Sequence, residues 1–126
     1  MKTKLIAPCG MNCNLCMAYL RDKNRCDGCR SDDATKPVSC ARCIIKNCEK
    51  LKISGDKYCG KCDTFPCKRL KALDKRYRTK YGMSMLDNLD NINTNGIRRF
   101  VADEKKRWEK GDKIFCVHRK TYYDLR

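Results

Sequence analysis

The segment CGKCDTFPCKRLKALDKRYRTKYG, residues 59–82, joins two kinds of sequence. Its first nine residues carry three cysteines, and the remainder carries apolar residues at the spacing of an amphipathic helix. Cys67 is therefore a natural boundary within the chain. We expect a cysteine-rich lobe over residues 1–67 and a helical part over residues 68–126, packed together as one compact domain.

The helical part is predicted from recurring apolar stripes. They indicate helices over residues 66–81, 84–95 and 97–110, with Pro66 as the first helical residue and Ser84 as the cap of the second helix. The β-prone composition of residues 113–123 predicts a short terminal strand or hairpin. The predicted fold is α-rich overall, with a small, irregular, metal-organised N-terminal lobe of zinc-knuckle type.

The composition favours metal over an ordinary core. Only 8% of the 126 residues are aromatic and 36% are charged, whereas twelve are cysteine. The first apolar run, Leu5 to Ala7, stops at Pro8 and is too short for a secretory signal, so we expect a cytoplasmic protein with reduced thiols. No segment approaches the roughly 20 apolar residues of a membrane span, so we expect no membrane role.

Eleven of the cysteines lie close together in the first half of the chain. Four C-x2-C spacings, and a C-x2-C-x4-C pattern that occurs twice, are typical of tetrahedral zinc sites. The expected metal ligands are Cys9, Cys13, Cys16, Cys26, Cys29, Cys40, Cys43, Cys48, Cys59, Cys62 and Cys67. They would hold two or three zinc ions. Three sites would need a further ligand from Cys116 or His118, although each of these is more typical of a packing or surface residue.

The pairing of these ligands stays open at the level of sequence. Cys26 and Cys29 could join Cys40 and Cys43, or an interleaved arrangement could use Cys48 and the three cysteines of residues 59–67. The C-x3-C-x2-C group at residues 9–16 also has the spacing that binds a four-iron cluster in radical enzymes that use S-adenosylmethionine. The chain is too short for the barrel of those enzymes. An iron–sulfur or thiol redox protein remains the alternative to a structural zinc protein.

Four strings together resemble a known family: APCGMNCNLCMAYL at residues 7–20, CDGC at 26–29, CARCIIKNC at 40–48 and CGKCDTFPCKRLK at 59–71. The family comprises small cysteine-rich bacterial and archaeal proteins of unknown function, with zinc binding inferred. The resemblance covers residues 5–73. It implies metal-ligand roles for the eleven clustered cysteines, least directly for Cys40, and implies no activity.

The formal charge of +15 suits an acidic partner, either nucleic acid or an acidic protein surface. A basic arc on the first predicted helix is the candidate nucleic-acid surface: Lys68, Arg69, Lys71, Lys75, Arg76, Arg78 and Lys80. A second basic group lies within residues 98–107. Tyr122 and Tyr123 are the exposed aromatic residues that could stack on bases.

With one histidine and no HExxH motif, the sequence favours an interaction module over an enzyme.

Overall fold

The structure is a computed structural model that describes residues 1–125, apart from the side chain of Ser39. Arg126, the last residue of the predicted helical part, lies outside the described residues. Helices dominate the described chain, and a three-stranded antiparallel sheet lies at its C-terminal end. The predicted α-rich fold with a terminal hairpin is confirmed. Within the described residues, no helix is both long enough and apolar enough to cross a bilayer.

Regular structure in residues 1–67 comes in short pieces, and the longest has six residues. Glycines, prolines and cysteines punctuate this part too often for a longer helix to propagate. Its helices are α1 (Met17–Leu20), α2 (Val38–Ala41) and α3 (Glu49–Ser54), and its 3₁₀ turns are Thr3–Leu5, Cys13–Leu15, Asp33–Thr35 and Cys59–Lys61.

The second part contains three longer helices: α4 (Lys68–Tyr81), α5 (Met85–Asn95) and α6 (Ile97–Trp108). The backbone N–H of Asp87 donates to Oγ of Ser84 at 3.1 Å, which confirms the predicted cap of α5. The prediction that Pro66 opens α4 is wrong. The extended residue Cys67 forms the N-cap instead, and the first helical residue is Lys68.

The sheet consists of β1 (Glu109–Lys110), β2 (Lys113–Cys116) and β3 (Thr121–Asp124), in that spatial order. The sequence predicts a helix to residue 110, but α6 ends at Trp108 because the next two residues pair with β2. Side chains alternate across β2, so Ile114 and Cys116 are buried while Phe115 faces outward.

The hydrophobic core draws on both halves of the chain. Leu5 and Leu15 from the first half belong to the same buried cluster as Leu70, Leu89 and Ile114 from the second. The sequence predicts a thin apolar interior in the cysteine-rich part, because apolar residues are sparse there. The structure departs from this expectation in residues 5–20, whose apolar residues are almost all buried, whereas Val38, Ile44 and Ile53 are exposed.

Gly10 is the point where the cysteine-rich part packs most closely on the helices. Its φ is +91°, and a Cβ at this position would lie 2.9 Å from the carbonyl oxygen of Met85 and 3.0 Å from Cγ of Leu89. The side-chain amide of Asn88 donates to the Gly10 carbonyl at 2.9 Å. A residue without a side chain is therefore required here for the segment 9–13 to lie against α5.

Candidate metal centre

All twelve cysteines are free thiols. Nine of the eleven predicted ligands form two sets. The first cysteine set is Cys13, Cys16, Cys26, Cys29 and Cys40. The second cysteine set is Cys48, Cys59, Cys62 and Cys67. Cys9 and Cys43 belong to neither set, and the charges of Cys43 and Cys59 both act on the pKa of Cys9.

In the first cysteine set Cys13 and Cys29 are in contact, and their Sγ atoms are 3.7 Å apart. A disulfide bond measures about 2.05 Å, so these sulfurs are not bonded to each other. Two thiolates that each lie about 2.3 Å from a tetrahedral zinc ion stand roughly 3.8 Å apart. The observed separation therefore matches one edge of a tetrathiolate zinc site.

Local hydrogen bonds hold this set in place. The Oδ1 of Asn12 accepts from the backbone N–H of Asn14 at 3.1 Å and caps the turn that contains Cys13. The backbone N–H of Cys26 donates to the carbonyl of Ala18 at 2.8 Å, which brings the next ligand segment back to α1. Gly28 has a φ of +104° and turns the chain between Cys26 and Cys29.

The other members of the first cysteine set lie within electrostatic reach of each other. Burial raises the pKa of Cys16 to about 11, and the charges of Cys26 and Cys40 act in the same direction. Burial also raises the pKa of Cys26, again with a contribution from Cys40. The segments 13–16, 26–29 and 40 thus converge although up to 27 positions separate them in sequence.

All four cysteines of the second cysteine set line one cavity of about 570 Å³, and the other lining residues include Ile45, Phe65 and Leu70. The four cysteines come from three places: the residue before α3, the turn at residues 59–62, and the residue before α4. The backbone N–H of Cys62 donates to the carbonyl of Cys59 at 3.0 Å, so the C-x2-C turn is closed as its spacing predicts.

Burial, with smaller contributions from the charges of Cys67, Cys48 and Cys62, raises the pKa of Cys59 to about 12. Cys9 connects the two sets. Burial raises its pKa to about 12, with smaller contributions from cysteines of both sets. The backbone N–H of Cys59 donates to the carbonyl of Pro8 at 2.8 Å, which places the start of one metal-type motif against another.

The arrangement is a gathering of sulfur donors and not a finished coordination shell. Among residues 1–125, no three or more His, Cys, Asp or Glu side chains are placed so that they could hold a metal ion together. The donor chemistry is that of a structural zinc or iron–sulfur centre, because every candidate ligand is a thiol.

Cys116 and His118 have other surroundings. Cys116 is completely buried in the hydrophobic core. Both ring nitrogens of His118 are engaged: Nδ1 accepts from the backbone N–H of Met17 at 3.2 Å, and Nε2 lies 2.7 Å from the Tyr77 hydroxyl. Because Nδ1 accepts, Nε2 carries the proton and donates to Tyr77. Burial lowers the pKa of His118, which favours this neutral form.

The seven basic residues of the predicted nucleic-acid arc are all exposed on α4. Arg78 is held by Asp74, whose Oδ2 lies 2.8 Å from its Nε. In the described part of the chain, the ion pairs do not involve the other six cations of the arc. Tyr77 and Tyr81 are half-buried on the opposite face of the helix, so the arc itself offers charge without stacking surfaces.

Fold and thiol arrangement define a small α-rich protein with a cysteine-rich N-terminal half and a basic surface. The chain belongs to the family described as Protein of unknown function (DUF3795), whose model matches residues 5–72. This match confirms the family resemblance and contains all eleven clustered cysteines. Searches among curated proteins and among solved structures gave no match.

Proposed function

We propose that this protein is a structural zinc protein with two metal centres, one in each cysteine set, and that its basic surface binds an acidic partner. One observation carries the proposal: four cysteines from three separate segments line one cavity. Four sulfur donors are the number that a closed, tetrahedral structural zinc site requires.

The second cysteine set supplies a complete donor set. Cys48, Cys59, Cys62 and Cys67 would each give one thiolate, and a zinc ion would draw the sulfurs to about 2.3 Å from itself. Binding of a structural zinc ion contributes on the order of 10 kcal/mol, which is enough to order the short helices and turns around it. The site would be closed, and closed sites of this kind support folding and not catalysis.

The first cysteine set offers one donor more than a site needs. Cys13 and Cys29 already stand at the separation of a tetrahedral edge, 3.7 Å. Two of the remaining three cysteines, Cys16, Cys26 and Cys40, would complete the shell. The buried Cys9 and the half-buried Cys43 would then be thiols without a metal, which explains why eleven cysteines do not divide into groups of four.

The basic surface supports the second half of the proposal. Two all-thiolate zinc sites together carry a charge of about −4, so a chain with a formal charge of +15 remains strongly basic. Lys71, Lys75, Arg76 and Lys80 extend from one side of α4 into solvent. Such an array attracts polyanions through counterion release, with an affinity that falls as salt rises.

The test is elemental analysis of protein purified without air. We expect two zinc ions per chain and no visible absorption. Iron together with a visible absorption band would show that the centres are iron–sulfur clusters and not zinc sites. Metal-free protein would contradict any metal role.

A matched pair of variants locates the second centre. Cys62→Ser should reduce the zinc content from two ions to one, because it removes a donor from the second cysteine set. Cys116→Ala removes a thiol from the hydrophobic core and should keep both ions. Equal zinc content in the two variants would contradict the assignment of Cys62.

A further inference from the structure

The outward face of the C-terminal sheet carries a row of three aromatic rings. Trp108 and Phe115 are stacked with their centroids 5.7 Å apart, and Phe115 contacts Tyr122 edge to face at 5.4 Å. Phe115 and Tyr122 lie directly opposite each other across β2 and β3, which fixes them on the same face. Tyr122, at the end of the row, is 50% exposed.

The row is held in position from below and from one end. The indole N–H of Trp108 donates to Oε2 of the buried Glu104 at 3.0 Å. The guanidinium carbon of Arg107 lies 4.5 Å from the Trp108 ring centroid. Trp108 is thus covered by Arg107 and Phe115, whereas Tyr122 keeps an open ring surface for a ligand.

Cations surround this row. Lys110 and Lys113 are paired across β1 and β2, and Arg119 and Lys120 occupy the connection between β2 and β3. Lys113 forms an ion pair with Asp124 on the neighbouring strand. Within residues 1–125, the ion pairs include none of Arg107, Lys110, Arg119 and Lys120. The face therefore combines an exposed aromatic ring with uncompensated positive charge.

We infer that this sheet face binds single-stranded nucleic acid, with a base stacked on Tyr122 and phosphates held by the flanking cations. The inference rests on the binding role proposed above and names its acidic partner, but it does not depend on zinc. Single strands are favoured over duplexes because only unpaired bases present a free ring face to an aromatic side chain. An acidic protein would use the cations but would gain nothing comparable from an open tyrosine ring.

The sheet face differs from the basic arc on α4 in the kind of contact that it offers. Tyr77 and Tyr81 of α4 pack against His118 and not against solvent. The arc can therefore contact phosphates alone, whereas the sheet can contact both phosphates and bases. Tyr123, which the sequence also suggests for stacking, lies on the opposite face and packs on the core.

The chain contains one tryptophan, so its intrinsic fluorescence reports on this row directly. We would titrate the full chain with a twelve-nucleotide oligo(dT), an oligo(U) of equal length and a duplex of mixed sequence. We expect a saturable change in Trp108 emission with the single strands, and at least tenfold weaker binding of the duplex. The affinity for single strands should fall steeply with salt.

Three variants separate stacking on Tyr122 from the effect of charge. Tyr122→Ala should weaken single-strand binding about tenfold, the loss typical of one stacked base. Lys52→Ala, at an exposed position of α3 outside both the α4 arc and the sheet face, should weaken it less than threefold. Tyr122→Thr keeps the β-propensity of the strand and should behave like Tyr122→Ala, and circular dichroism of each variant verifies the fold.

The inference is overturned if Tyr122→Ala and Tyr122→Thr bind as tightly as the unmodified chain, if duplex binds as well as single strands, or if folded protein binds neither. Zinc is measured on the same samples. Tight single-strand binding by metal-free protein would remove the zinc role alone, and two zinc ions without binding would remove the nucleic-acid role alone.

Discussion

The two halves of this molecule are stabilised in different ways. Residues 68–125 contain α4, with 14 residues, and two further helices, and buried residues of α4 and α5 share a hydrophobic cluster with Ile114 of the sheet. Residues 1–67 contain no described helix longer than six residues. Helices this short do not persist alone in water, so they depend on contacts that distant segments make. The thiols are concentrated where secondary structure contributes least.

The comparison also shows that the cysteine-rich half is not a separate unit resting on its neighbour. Leu5 and Leu15 are buried in the common core, and the backbone N–H of Val117 in the hairpin donates to the Leu15 carbonyl at 3.1 Å. Gly10 lies against α5 at a distance that excludes any side chain. Metal would therefore stabilise the later loops of the cysteine-rich half, because residues 5–15 already pack against the helices and the hairpin.

The largest expected effect is that of metal removal. A zinc chelator applied under reducing conditions should lower the thermal unfolding midpoint by well over 10 °C, since structural zinc contributes on the order of 10 kcal/mol. Hydrogen exchange should accelerate mainly in residues 26–67 and much less in α4 to α6. Equal acceleration of hydrogen exchange in both halves would contradict the idea that metal stabilises mainly the cysteine-rich half.

Gly10→Ala should be the most damaging single substitution at the contact between the halves. It forces a Cβ to within 2.9 Å of a backbone oxygen at a φ of +91°, and we expect a loss of about 2–4 kcal/mol in urea unfolding. Gly82→Ala is the matched control, because its φ is +64° but nothing lies within 4 Å. A loss of about 1 kcal/mol is expected there. Similar losses for both would contradict a close approach at Gly10.

A smaller effect is expected within the helical half. The buried carboxylate of Asp74 accepts from the Ser84 hydroxyl at 2.7 Å and from the Leu86 backbone N–H at 3.0 Å, which ties α4 to α5. Asp74→Ala should cost about 2–3 kcal/mol, because buried donors lose a charged acceptor. Asp90→Ala, at an exposed position of α5, should change the free energy of unfolding by less than about 0.5 kcal/mol. Urea unfolding of both variants measures the difference.

The smallest effect concerns pH and the link between hairpin and α1. The folded pKa of His118 lies below the ordinary value of 6.5, because the ring is buried between Tyr77 and the backbone of Met17. Its contribution to stability is therefore present above pH 6.5 and is lost as pH falls through the folded pKa. One proton changes stability by at most about 1.4 kcal/mol per pH unit.

The measurement compares urea unfolding of the unmodified chain and of His118→Gln between pH 7.5 and pH 5. Thiolate protonation affects both proteins equally, so the difference in slope isolates the histidine, which is the one histidine of the chain. The variant should lose less stability on acidification. Identical slopes would show that His118 titrates normally in the folded protein.

Features that depend on residues close in sequence could be predicted, whereas features that depend on contacts between distant segments could not. Ser84 identifies the start of α5 because capping acts within four residues, and the stripe from Leu70 to Tyr81 identifies α4 because helical periodicity is local. Pro66 misleads because whether it opens a helix depends on the residues packed around it. The row of Trp108, Phe115 and Tyr122 escapes notice because it depends on strand register, which pairs Phe115 with Tyr122, and on the packing of Trp108 at the end of α6 against Phe115.

Sequence alone determined the family, the abundance of thiol donors, the helices of the second half and the terminal hairpin, because each depends on residue type and short-range spacing. Tertiary structure decided which cysteines lie together. Cys13 lies beside Cys29, and Cys48 lines the same cavity as Cys59, Cys62 and Cys67. It also decided that Gly10 packs on α5 and that Tyr122 faces solvent. Those outcomes depend on the path of the whole chain, since contacts between distant segments form only where the packing of all segments agrees.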